Sequence, residues 1–120
     1  MDPITTAIIA ALAAGLTQGS VADAYNGVKQ LIKTKLDNKN DVMVAINRLE
    51  QKPQSKARQM ELQEQVEENQ LEKNSDIVEL AKKLMDEMKS SGDEKHIMQA
   101  KGKFIAQADH GSTANISILR

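Results

Sequence analysis

Histidine and cysteine, which are common in metal and catalytic sites, are scarce in this sequence, with two histidines and no cysteine. The two histidines, His96 and His110, have no second ligand at the i+4 spacing by which one helix presents two ligands to a metal ion. His110 follows Asp109 and precedes Ser112, but this group falls in a predicted turn without a scaffold that would form a catalytic pocket. The chain has no cysteine, which excludes disulfides and thiolate metal sites. We therefore predict no enzymatic activity, no cofactor and no metal site.

The C-terminal residues fit a different chemistry, the non-covalent stacking of identical chains. Apolar and polar residues alternate over 104–109 and again over 115–118, as in short strands, and 110–113 supply turn-forming residues. Residues 103–120 carry little charge, no proline, and Asn, Gln and Ser side chains that can form ladders between chains. A lone two-stranded unit is marginally stable, so the segment needs a partner. We predict a β-prone tail that stacks on copies of itself; the alternative is a disordered or hairpin tail without a role.

A helix is predicted at the N-terminus, where residues 4–16 contain no charge. Asp2 is an N-cap acceptor, and Pro3 suits the first helical turn because its missing N–H costs nothing there. Large aliphatic residues recur every four positions along one ridge, and alanine and glycine occupy the opposite side. A helix with no polar face is buried in a core or in lipid, and this one is too short to span a bilayer alone, which takes about 20 residues. We predict that it lies at the centre of a small bundle and can be released to a membrane.

Composition limits the class of protein. The 120 residues are enough for one domain, and with 40% hydrophobic but only 2% aromatic residues the core must be built mainly from aliphatic side chains, which favours helices. Sixteen basic residues against 17 acidic ones argue against a nucleic-acid binder. The apolar N-terminus lacks the positive charges that precede the core of a secretory signal, because Asp2 is the sole charged side chain before Asp23.

Helical periodicity continues through the middle of the chain. A helix over 21–36 is predicted from one buried stripe, with Ser20 and Asp23 as a capping box. The next helix begins at Asn40 or Asp41 and ends near Lys52, before Pro53. Residues 54–73 favour a helix with a solvated, charge-rich face, or a loosely held helix that can detach. A further helix is predicted to restart at 74–76, beginning with Asn74, and to end at 90–93, and its broad apolar stripe indicates that it packs on two neighbours. The stripe of the 21–36 helix consists of Val21, Tyr25, Val28 and Ile32.

Together these patterns predict an all-α fold, a four- to five-helix bundle with a short β-prone or disordered C-terminal tail. We predict a helical bundle over 1–92, a linker over 93–102 and the stacking segment over 103–120.

An uncharged N-terminal helix, a helical bundle and a stacking C-terminal segment occur together in one known class of protein. The chain resembles the prokaryotic Bell-domain proteins, which are similar to fungal HeLo-domain cell-death executioners and to the four-helix domain of the mammalian necroptosis pseudokinase. Its tail is similar to bacterial amyloid signalling motifs and more loosely to the RIP homotypic interaction motif, although Ala108, Asp109 and His110 separate Gln107 from Gly111. The residues that carry the tail's likeness are Phe104, Ile105, Gln107, Gly111, Asn115, Ile116 and Ile118.

The resemblance implies a membrane-disrupting effector of programmed cell death in prokaryotic innate immunity. An upstream receptor with a matching motif would template the tail into a cross-β stack, and the resulting homo-oligomer would expose the N-terminal helix to membrane lipids. The protein would be cytoplasmic at rest and would act at the inner or plasma membrane, with no nucleic-acid partner. The membrane-inserting residues would be Ile4, Ile8, Ile9, Leu12 and Leu16.

Two other hypotheses remain open. The chain is alternatively a non-lytic helical adaptor whose tail docks on a partner by strand addition. The third hypothesis is that the chain is a secreted or periplasmic helical protein.

Overall fold

The computed structural model describes residues 2–16, 19–36, 41–92 and 94–108, with side chains described as far as Lys101. Within these ranges the chain forms six α-helices and one short 3-10 helix and contains no strand, which confirms the all-α prediction. The helices are α1 (Pro3–Ala14), α2 (Gly19–Leu36), α3 (Asp41–Gln51), α4 (Lys56–Glu68), a 3-10 turn (Leu71–Lys73), α5 (Ser75–Ser90) and α6 (Glu94–Ala108).

The predicted start of α1 is confirmed. Asp2 is its N-cap: one carboxylate oxygen accepts a hydrogen bond of 2.7 Å from the backbone N–H of Thr5, and the other accepts one of 2.9 Å from the Thr5 hydroxyl. The helix ends at Gly15, whose φ of 87° is the left-handed conformation that glycine adopts without steric cost.

The other helices are arranged around α1. Helices α4, α5 and α6 pack against it, α2 packs mainly against α5, and α3 packs against α4. The predicted stripe of α2 is fully buried, since Val21, Tyr25, Val28 and Ile32 are at most 1% exposed. Because α2 begins at Gly19, Ser20 lies inside the helix, and the prediction that it caps a helix starting at Val21 is wrong.

The middle of the chain forms two separate helices, α3 and α4. Helix α3 ends at Gln51 before Pro53, as predicted, and α4 begins after Ser55, whose Oγ accepts from the N–H of Arg58 at 3.3 Å. Helix α4 buries a narrow stripe and exposes Glu64, Glu67 and Glu68. Asn74 then caps α5 by accepting from two backbone N–H groups of its first turn.

The segment after α5 differs from the prediction. Residues 93–102 are predicted to be a linker and 104–108 a strand, but Glu94–Ala108 is a single helix. Ile97 and Ala100 are buried in the core, so this helix is part of the bundle. The run from Ile97 to Ala108 satisfies two periods at once: alternation over its last residues, and helical spacing when Ile97, Ala100 and Phe104 are counted together. Packing of this segment against α1 selects the helix over the strand.

Candidate functional site

Helix α1 is the candidate functional element because it is both uncharged and central. Eight of its 12 residues are buried. Of the residues predicted to insert into a membrane, Ile4 and Ile8 are fully buried and Ile9 is 3% exposed, whereas Leu12 and Leu16 are partly buried at the C-terminal end. The structure therefore brings the first three into the core and leaves the other two at its margin.

The polar side chains of α1 are satisfied without help from the rest of the bundle. Its two threonines are buried, and both hydroxyls bond to Asp2: Thr5 to the carboxylate and Thr6 to the backbone carbonyl at 3.0 Å. A buried hydroxyl without a partner costs free energy in any apolar surroundings. These bonds lie within the first turn of α1 and involve no residue of another helix.

Helix α6 packs against α1. Ile9 and Ala13 of α1 line a small cavity together with His96 and Ala100 of α6, and Gln59 of α4 closes another side. The cavity has a volume of about 90 Å³. From the sequence, His96 is a candidate metal ligand only, and Gln59 is not expected in the core because a glutamine in a charge-rich helix gives no signal that it will be buried.

A cluster of three side chains fastens α3 to α2 on another face of the bundle. Tyr25 and Lys29 of α2 both bond to Glu50 of α3, at 2.6 Å and 2.7 Å. Burial, followed by the hydrogen bond and the negative charge of Glu50, raises the pKa of the Tyr25 hydroxyl well above its ordinary value. The tyrosine is therefore neutral through the physiological range and acts as a structural donor.

The predicted stacking residues are only partly within the described chain. Phe104, Ile105 and Gln107 lie in the last two turns of α6, whereas 109–120 are outside the described residues. The latter range includes the predicted motif residues Gly111, Asn115, Ile116 and Ile118, together with His110 and Ser112. In this structure the first part of the stacking segment is continuous with the helix that covers α1.

None of the helices in the described ranges is both long and apolar enough to cross a membrane. Helix α1, with 12 residues at about 1.5 Å each, is about 18 Å long, against a hydrocarbon core of about 30 Å.

Comparison with known proteins gives one match. A family model described as the Het-E N-terminal domain matches residues 1–119, nearly the whole chain. It represents a fungal HeLo-like family of domains related to cell death. No curated protein and no solved structure matches the chain. The match confirms the HeLo-like part of the resemblance, while the Bell-domain and amyloid-motif features stay predictions.

Proposed function

The chain belongs to the Het-E N-terminal domain family, a HeLo-like family of cell-death-related domains, and from this membership we propose that it is a cell-death effector that disrupts a membrane. The observation that carries the proposal is the state of α1: an uncharged helix with satisfied hydroxyls, stored in the core. Its release to lipid is the damaging step.

The free energy of burying the apolar side chains of α1 is similar in the protein core and in a bilayer, as a switch between the two positions requires. The fully buried Ile4 and Ile8 each stabilise the core by about 1.5–3 kcal/mol, and the partly buried Leu12 and Leu16 contribute less. The same transfer free energy is available in a bilayer, so a move from core to lipid changes it little. A modest coupling to assembly then decides where α1 resides.

Helix α6 supplies that coupling. It packs against α1 and continues into the stacking segment, so that residues 103–108 are helical in the bundle. Incorporation of these residues into a cross-β stack requires them to unwind, which removes part of the helix that covers α1. A matching receptor starts the stack, and further copies of this chain extend it.

Assembly also compensates for the short length of α1, because it brings several of these helices together. A stack of tails holds many bundles together and raises the local concentration of released helices. The small residues Ala7 and Ala11, spaced four apart on α1, permit close helix–helix packing in lipid. Several helices together breach a membrane that one cannot span. We place the resting protein in the cytoplasm and the active assembly at the inner or plasma membrane.

A reversible cross-link between α1 and α6 tests the proposal. Ala13→Cys and Ala100→Cys place two thiols around the same small cavity of a chain that has no other cysteine. The full-length variant, seeded with fibrils of a 103–120 peptide, is mixed with dye-loaded vesicles of neutral and anionic phospholipid. We expect no leakage when the disulfide is formed, confirmed by mass, and leakage once a reductant opens it.

The matched control is a cross-link that leaves α1 unrestrained. Arg48 and Glu61 form a 3.1 Å ion pair between α3 and α4, so Arg48→Cys with Glu61→Cys, bridged by a reducible bifunctional thiol reagent that replaces the length of the two side chains, joins those two helices. This variant should leak dye in both redox states. Equal leakage from oxidised and reduced α1–α6 variants would contradict the release of α1. Intact vesicles under every condition would instead favour the non-lytic adaptor.

A further inference from the structure

The middle of α2 contains the pair Asn26 and Gly27, the one place in the sequence where glycine follows asparagine. Asn26 is exposed, and its side chain makes no hydrogen bond within the described chain. Glycine weakens a helix interior relative to alanine, yet a Cβ added at Gly27 would meet nothing within 4 Å. Packing in the bundle therefore does not require glycine here, but the missing side chain changes the reactivity of Asn26.

An asparagine followed by glycine is prone to deamidation, because no side chain hinders attack by the next backbone nitrogen. The nitrogen of Gly27 forms a bond to Cγ of Asn26, the bond from Cγ to Nδ2 breaks, and the proton of the attacking nitrogen passes through water to the departing ammonia. The product is a five-membered succinimide. Water then opens this ring at one of its two carbonyls, which leaves aspartate or isoaspartate at position 26.

Helix α2 prevents this attack while it is formed. In an α-helix the N–H of residue 27 donates to the carbonyl oxygen of residue 23, and the attack needs that nitrogen free and the ψ of Asn26 rotated away from its helical value. Both residues lie about two turns from either end of α2, where fraying does not reach them. Water already reaches the pair, since Asn26 is exposed and Gly27 lines an open groove between α2 and α5.

We propose that Asn26 is a site of spontaneous deamidation which α2 suppresses, so that the reaction marks molecules in which this helix has opened. The inference concerns the folded bundle and does not rest on the proposed function.

Isoaspartate at position 26 should make the opening permanent. Its peptide bond runs through the side-chain carboxyl, which adds one atom to the main chain in the middle of the buried stripe of α2. Val21 and Tyr25 precede this atom and Val28 and Ile32 follow it, all at most 1% exposed. The added atom shifts the second pair relative to the first, so the four side chains no longer fit the core in one helical register.

Peptide mapping tests whether the helix suppresses the reaction. The full chain is kept at mildly alkaline pH in buffer or in unfolding guanidinium chloride, and isoaspartate is followed in the tryptic peptide that ends at Lys29, in which Asn26 is the one asparagine. We expect formation to be at least about a hundredfold slower in buffer, because only the small open fraction reacts. Asn26→Gln should abolish the signal in both solvents, since its longer side chain does not close a five-membered ring.

A variant that loosens α2 without touching the reacting pair tests the need for opening. Ile32 is fully buried, so Ile32→Val should raise the rate in buffer about two- to tenfold and leave the rate in denaturant unchanged. Thr34→Ser, exposed in the same helix, is the matched control and should change neither rate. Equal rates in buffer and denaturant, or no acceleration by Ile32→Val, would overturn the suppression by α2. Absence of isoaspartate at position 26 in denaturant would overturn the site itself.

The effect of the added backbone atom is measured on the modified chain. The isoaspartate form, separated by ion exchange and refolded, should unfold at a lower denaturant concentration than Asn26→Asp, which carries the same charge on an unaltered backbone. Equal midpoints for these two proteins would contradict the shift of the buried stripe.

Discussion

The hydroxyl of Tyr25 in α2 donates a 2.6 Å hydrogen bond to Oε2 of Glu50 in α3. Lys29, one turn after Tyr25, reaches the same oxygen at 2.7 Å, and its ammonium lies 5.6 Å from the centre of the tyrosine ring. The buried ring and the shared carboxylate therefore fix α3, and the α4 helix that packs on it, to the α2 face of the bundle.

The free energy of unfolding at alkaline pH should depend on the hydrogen bond from Tyr25 to Glu50. Because the pKa of Tyr25 is raised above 10.0 in the folded protein, the neutral hydroxyl contributes its full stabilisation below about pH 10. Above that pH the unfolded chain loses the proton while the folded chain keeps it, so the free energy of unfolding falls by up to about 1.4 kcal/mol per pH unit. Urea unfolding between pH 8 and 11 should show this extra slope in the unmodified chain and not in Tyr25→Phe. Parallel curves would contradict the structural role of the hydroxyl.

The helical parts of the fold follow from local sequence where caps and periodicity agree. Asp2 before Pro3, and Asn74 before a broad apolar stripe, mark helix starts that the structure reproduces. The stripe of α2 is buried as its spacing predicts, and the break before Pro53 follows from the missing N–H of proline.

The parts that could not be predicted depend on tertiary contacts. The run after Ile97 fits a strand and a helix equally well over a few residues, and only its packing on α1 selects the helix. The cavity between α1, α4 and α6 joins Gln59 to His96, which are 37 positions apart in the sequence. Neither residue belongs to a periodic pattern that would place it there.

Removal of the α1 cap should weaken the whole bundle. Asp2→Ala deletes the acceptor for the N–H and the hydroxyl of Thr5, and loss of an N-cap costs about 0.5–2 kcal/mol. Asp2→Asn keeps an acceptor and should lose less than half as much. The urea midpoint should be highest for the unmodified chain, lower for Asp2→Asn and lowest for Asp2→Ala. Equal midpoints would show that the cap does not stabilise α1.

Charge on α1 should separate folding from membrane activity. Leu12 is only partly buried, so Leu12→Lys can place its ammonium in water and leave the thermal midpoint within a few degrees. In a bilayer the same lysine costs about 2.5–3.5 kcal/mol, so vesicle leakage should fall by at least about tenfold. Ile8→Asp, at a fully buried position, should instead unfold the bundle, as circular dichroism would show. Unchanged leakage from folded Leu12→Lys would exclude insertion of this face.

A weaker contact of α6 should lower the barrier to release. Ile97 is 2% exposed, and truncation of a buried isoleucine costs about 2–5 kcal/mol. Ile97→Ala should therefore raise amide hydrogen exchange throughout α6 and lower the amount of fibril seed needed for leakage. Met98→Ala, next along the same helix but 64% exposed, is the matched control and should change neither quantity. If both variants behave alike, α6 does not restrain α1.

A single glycine should show whether unwinding of α6 limits tail assembly. Gly102 lies within α6, and its register places it on the side of the helix opposite Ile97 and Ala100. Gly102→Ala should stabilise the helix by about 1 kcal/mol, because alanine loses less backbone entropy, and slow seeded assembly of the full chain by about fivefold. The change lies just before the 103–120 segment, so a peptide of that segment assembles at its own rate in either case. Gly27→Ala, in α2 where an added Cβ meets nothing within 4 Å, is the control that strengthens another helix; it should leave the rate of tail assembly unchanged. Equal slowing by both alanines would mean that global unfolding, and not the local unwinding of α6, precedes the stack.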